Sequence, residues 1–401
     1  MFQALKNGPY VRLVTSGFFL TFALMMQEVL LGYELYRITK DPLALGLLGL
    51  AEAVPYIALA LFGGYLADRM NRRTQMLLTQ ALMLAASLVL AHFAPRLSDS
   101  NGQTGALWII YGSVAMMGLA RGLYSPANAS LRAQLVRAED QANASAWSSF
   151  FWQSAMLSAP VFSGYFYLQA GMQNAMLLTA LLLGVSMLIT LTLPSLRAIG
   201  ALTSERMFDS IKAGFRFVLD NKLLLYSISL DLVAVLFSGV VAILPAFAED
   251  ILHVGPEGLG WLRAASGVGA VSAMLLAARF SPTFRPWRNM LIAVIGFGLA
   301  TFVFALSEIF WLSCLALCIA GAFDGVSVVV RQYLLQTIPP DAMRGRVLAV
   351  NSIFVSSSNE LGAFESGVAA KFLGLKQSVL AGAGLTLGIA FWLAGRKVKS
   401  R

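Results

Sequence analysis

Carboxylates and guanidinium groups set inside long apolar runs are where this chain could do chemistry. Glu28 and Glu34 lie in the first such run, Glu52 in the second, Arg121 in the fourth and Asp231 in the seventh. Arg263 follows in the eighth, Asp324 and Arg331 in the tenth, and Glu360 and Glu365 in the eleventh. An ionisable group in a bilayer costs about 2.5–3.5 kcal/mol on the insertion scale, so each needs a partner, water or a task. A desolvated carboxyl holds its proton more tightly, and an approaching guanidinium loosens it again. A carboxyl that alternates between those surroundings loads and releases protons. By depth in their runs, Glu28, Asp324 and Asp231 are the proton-carrier candidates, in that order, with Arg121 as the opposing cation and Glu360 as a further member. A fixed ion pair that holds helices together is the competing reading for each.

The elements that must carry these groups follow from composition. Of 401 residues, 58% are hydrophobic and 12% are Asp, Glu, Lys or Arg, with a mean hydropathy of +0.73. Soluble globular chains carry roughly 25% charged residues, so this much apolar surface belongs in lipid and soluble enzyme classes are excluded. Stretches long enough to cross a bilayer, about 20 residues each, recur twelve times, from about 11–36 to about 377–395. They lack the period-2 alternation of a barrel strand. The fold class is therefore an all-α integral membrane protein with 12 transmembrane helices. The polar, basic stretch near the midpoint divides the chain into an N-terminal six-helix bundle (1–194), a cytoplasmic linker (195–221) and a C-terminal six-helix bundle (222–401). A short amphipathic helix is expected at about 210–219. Segments 45–51 and 259–265 echo each other at matching places in the two halves, as parallel repeats do.

Lysine and arginine placement orients the spans. The odd-numbered connections hold only five of the 29 (Arg37, Lys40, Arg96, Lys371 and Lys376), while the termini and even-numbered connections hold nearly all the rest. Cationic loops stay cytoplasmic, so both termini are expected there. The net charge of +9 is this topology signal; dispersed basic residues without an aromatic platform exclude nucleic acid as a partner.

Between the second and third spans lies Gly64-Tyr65-Leu66-Ala67-Asp68-Arg69-Met70-Asn71-Arg72-Arg73. Gly64 permits close helix contact, and Asp68 at the membrane face can meet a neighbouring helix N-terminus. Arg69, Arg72 and Arg73 pair with it or with lipid phosphate. The loop resembles the signature of the major facilitator superfamily, Gly-x-Leu-x-Asp-Arg-x-Gly-Arg-Arg, with Asn71 at the usual glycine. Asparagine is the next best residue for a left-handed turn, so one is expected at Asn71. The stretch 331–347 resembles the tenth helix and following loop of the enterobactin-exporter and macrolide-efflux branch, and 159–164 resembles a worn export-type Gly-Pro-x-x-Gly-Gly signature. The resemblance implies two pseudo-symmetric six-helix bundles, a central cavity lined by spans one, four, seven and ten, and an Asp68–Arg72 latch gating its cytoplasmic side.

Aromatic and amide residues at matching depths are the substrate-cavity candidates: Gln27, Tyr33, Tyr124, Trp147, Trp152, Gln153 and Phe237, joined by Asn359 and Arg331. Residues 356–360 are polar in succession and cover every direction round a helix. A locally opened helix at the cavity, or tight polar packing, is expected there. Arg331 either pairs with an acid or snorkels to the cytoplasm; Glu34 and Glu365, near outer ends, can reach water. The sequence has no P-loop and no metal-ligand spacing. Cys314 and Cys318 read as packing residues, and neither a cofactor, a metal nor an enzymatic activity is expected. The reading is a secondary active transporter, a proton-coupled exporter (antiporter) of amphipathic small molecules such as siderophores or drugs. It would work by alternating access, as a monomer, in the bacterial inner membrane, with substrate, protons and membrane lipid as its partners. Two alternatives stay open: a facilitator or proton symporter importing a polar metabolite, and a non-transporting receptor or scaffold.

Overall fold

The computed structural model describes residues 4–97, 103–195, 207–280 and 282–395, and at some helical positions, 60–69 and 356–357 among them, the backbone alone. Helices α1 (Gly8–Thr39), α2 (Pro42–Arg69), α3 (Arg72–Leu97) and α4 (Gln103–Leu135) come first. The run Gln141–Leu191 breaks at Gly171, whose φ of 75° and ψ of 174° are open essentially to glycine alone, into α5 (141–170) and α6 (172–191). A short helix α7 (Met207–Asp220) precedes α8 (Lys222–Ser238), and the seventh span runs on as far as Ile251. Then come α9 (Gly255–Arg279), α10 (Pro286–Leu306), α11 (Phe310–Thr337), α12 (Asp341–Leu373) and α13 (Leu375–Ala394). Each of the twelve expected spans falls on a helix, ten candidate spans (one of them the double-length 143–191) are long and apolar enough to cross a bilayer, and no strand occurs among the described residues. Large apolar side chains such as Leu181, Leu188, Trp311 and Phe391 point outward, as they can where the surrounding solvent is hydrocarbon.

The chain forms two compact units. One comprises Met1–Lys40, Leu48–Leu202 and Gly255–Gly260; the other comprises Asp41–Leu47, Thr203–Val254 and Trp261–Arg401. In lipid there is little hydrophobic drive between helices, so small residues and polar contacts must hold them together. The first unit does this with a buried ladder. Ser16 of α1, Gln80 of α3, and Ser186 and Thr190 of α6 are fully buried and mutually hydrogen-bonded at 2.7–3.4 Å. At one end of α1, the Tyr10 hydroxyl donates to the Ala144 carbonyl at 2.5 Å and meets Ser148 Oγ at 2.9 Å. In the second unit, α9 and α11 approach so closely that a Cβ at Gly269, Gly321 or Gly325 would overlap the facing backbone. The helix α7 lays Phe217 and Val218 on the core shared by α8 and α12, and Phe215 stacks on Phe354.

Three local expectations are corrected. Asn71 has no positive φ; it caps α3, its Oδ1 accepting from the Arg73 backbone N–H at 3.0 Å while Gln75 N–H bonds its carbonyl. The backbone at 356–360 stays helical within α12 rather than opening; Ser358 is buried and bonds the Val355 carbonyl, which absorbs its polarity inside the helix. Glu34 does not reach water. Its side chain is fully buried, because Arg37 and Tyr167 enclose it.

Candidate functional site

Spacing on α4 starts the site. Arg121, Tyr124, Asn128 and Arg132 recur every three or four residues, which aligns them on one helix face. Gly118, one turn before Arg121, lies against the backbone of Glu52, so α2 and α4 touch where a side chain would hold them apart. That approach brings Glu52 onto Arg121 as an ion pair, with the guanidinium 5.8 Å from the centre of the Tyr56 ring. The pair and Glu28 of α1 line one small cavity of about 30 Å³ with Gln27, Met117 and Leu48. Gln27 is buried and its Nε2 donates to Met117 Sδ at 3.0 Å. Two carboxylates and one guanidinium thus border the same space.

A second cavity of about 230 Å³ lies farther along the same face of α4, lined by Tyr124, Asn128 and Arg132, by Phe18 of α1, and by Phe151 and Trp152 of α5. Tyr124 and Trp152 are thus brought to one wall. Trp147 is drawn off into an aromatic group with Phe150 and Phe151, and Gln153 is half-buried. Tyr33 packs edge-on against Tyr167 at 5.7 Å, beside the buried Glu34, whose carboxylate accepts from Tyr167 at 2.6 Å and from Arg37 at 2.6 and 3.1 Å.

In the second unit one charged pair is enclosed. Asp231 of α8 and Arg331 of α11 form an ion pair with side chains 6% and 5% exposed, and Ser327 Oγ donates to the same carboxylate at 3.1 Å. Arg331 therefore pairs with an acid rather than snorkelling. Asp324 stands two turns before Arg331 on the same stripe of α11, half-buried and without a partner among the described residues. On α12, Asn359 is exposed and Glu360 half-buried. Phe237 and Glu365 border a very small cavity of about 10 Å³.

Of the loop between α2 and α3, the side chains of Gly64, Asp68 and Arg69 lie outside the described residues. Arg72 is buried, and Arg73 donates to the Leu193 carbonyl at 2.9 Å. Sequence reasoning did not select Glu52 or Asn128, and took Arg132 for topology alone. The opposite charges of Glu52 and Arg121 in adjacent apolar runs, and the polar stripe on α4, were the available signals. Among the described residues no group of His, Cys, Asp and Glu could hold a metal ion.

The enterobactin exporter EntS of Citrobacter koseri is 26% identical over 349 residues, covering 86% of this chain and 81% of that protein. The enterobactin exporter EntS of Escherichia coli matches to the same extent. Among solved structures, the nucleoside transporter NupG superposes with a TM-score of 0.74 at 16% identity, covering 98% of this chain and all of that one. A POT family transporter does so at 0.74 and 12%, covering 96% and 95%. At such identities the likeness is one of fold. The pattern of the Major Facilitator Superfamily matches residues 13–363, and the chain, a multi-pass membrane protein, belongs to that family of transporters.

Proposed function

We propose that this protein is a proton-coupled exporter of amphipathic small molecules, siderophores or drugs, working as an antiporter by alternating access in a bacterial inner membrane, with both termini cytoplasmic. The observation that carries the coupling is the cavity shared by Glu28 and the Glu52–Arg121 pair. Two carboxylates and one guanidinium line it, so the proton affinity of Glu28 depends on how near the guanidinium stands. Arg121 is the residue whose movement would change the proton affinity of Glu28 as access alternates. Asp324 is the second carrier. Asp231 is the weakest of the three, because Arg331 already balances it. The direction of transport rests on the exporters it is similar to. The latch at the α2–α3 loop, Asp68 with Arg72, is part of the proposal.

The experiment is proton flux in proteoliposomes with an internal pH dye, on adding siderophores and hydrophobic cations in turn. Glu28→Gln is expected to abolish substrate-triggered proton movement while substrate binding persists, and Asp324→Asn to weaken it. Substrate counterflow without proton movement, unchanged in both variants, would leave a facilitator whose buried charges only hold helices together.

A further inference from the structure

The cavity at the end of the first unit where α1 and α5 begin and α4 ends differs in charge from the Glu28 cavity. Its volume of about 230 Å³ falls a little short of the usual span of small-molecule sites, about 300–1,000 Å³, so it takes one ring and its charged group rather than the whole of a large ligand. Among the described residues, Arg132 is the one charged residue in its wall, and no carboxylate lines it. Arg132 and Asn128 have no hydrogen-bond or ionic partner among the described residues. Tyr124, also in the wall, is 8% exposed and its buried hydroxyl has no partner either. Unmet donors of this kind are costly where water is scarce, and a ligand that supplies acceptors removes the cost. Phe18, Phe151 and Trp152 add aromatic rings to its lining.

We infer that this cavity binds an organic anion with a planar aromatic part, the anionic group held by Arg132 and the ring against Trp152 and Phe18. The planar guanidinium presents forked donors that suit a carboxylate, sulfonate or phenolate, and Asn128 adds an amide donor. A cationic ligand of the same shape would meet Arg132 with nothing to offset it. The inference rests on the exporter reading for its place in transport, and it supplies the charge class of the substrate. It also separates two tasks along α4: protons at the Arg121 level, substrate charge at the Arg132 level.

Fluorescein and rhodamine 123 share a xanthene ring system and differ in the sign of their charge. Binding of each to the full chain in lipid nanodiscs, read by fluorescence anisotropy at neutral pH, tests the site without requiring transport. Wild type is expected to bind fluorescein at least about tenfold more tightly than rhodamine 123, the size of one charge-assisted contact. Arg132→Gln is expected to remove most of that preference, and Arg132→Lys to keep part of it. No fluorescein binding by wild type, equal affinity for the two dyes, or an unchanged preference in Arg132→Gln would each overturn the inference. The dye comparison on wild type stands even where Arg132→Gln fails to fold. Charge-selective binding without dye efflux from proteoliposomes would count against the exporter reading and leave the anion site in place.

Discussion

In the first unit Glu28, Glu52 and Arg121 surround a cavity, whereas in the second Asp231 and Arg331 close on each other with almost no exposed surface. Both arrangements put charge at bilayer depth, and both rest on close helix contact. They differ in whether the charges border a cavity. The Asp231–Arg331 pair, with an added hydrogen bond from Ser327, is enclosed and holds α8 to α11, and the buried Arg331 Nε is left without an acceptor. Glu28, Glu52 and Arg121 border a small cavity where a proton can reach them. Room beside the charge, rather than burial alone, separates a carboxylate that can exchange protons from one that fastens helices.

The largest test of that contrast is Arg331→Ala. It strands a buried carboxylate and is expected to cost about 3–5 kcal/mol, read as thermal or denaturant unfolding in detergent. Asp231→Asn combined with Arg331→Gln should recover most of the loss. Glu28→Gln in the first unit should leave the unfolding midpoint nearly unchanged. Equal destabilisation by Arg331→Ala and Glu28→Gln would erase the distinction. Next in size is Gly118→Leu. A side chain there meets the Glu52 backbone, so α2 and α4 must part at an expected cost of about 1–3 kcal/mol. The sharper readout is that proton-coupled transport falls further than stability does, since the same contact seats Glu52 on Arg121. The smallest effect is expected outside the bilayer, between α10 and α11. Lys376 holds the Glu308 carboxyl below its ordinary range, so that pairing is present at neutral pH and is lost as pH falls through the depressed value. Because Glu308 is open to solvent, which screens the pair, Glu308→Gln should not move the unfolding midpoint measured at pH 7.

Reading the chain from its residues located every span, because length and apolarity are local properties that a helix in lipid cannot evade. Depth along a helix was a poorer guide. Glu34 sits near the end of α1, yet Tyr167, 133 residues away, covers it. Asn71 fits two roles, left-handed turn or helix cap, and only the backbone on either side chooses between them. Along 356–360 the helix is continuous, and the buried Ser358 bonds the Val355 carbonyl within it.

The sequence by itself determined that this is a membrane protein of twelve helices. It also determined which spans must carry charge, because desolvation forbids idle ionisable groups in lipid and the basic loops betray the signature of the family. Only the tertiary structure decided which charges meet. Glu52 and Arg121 are 69 residues apart and are joined through a glycine contact that no local pattern announces. Whether a buried acid is balanced or left open to a proton depends on that pairing. Pairing is a property of packed neighbours, and the order of residues along one helix does not contain it.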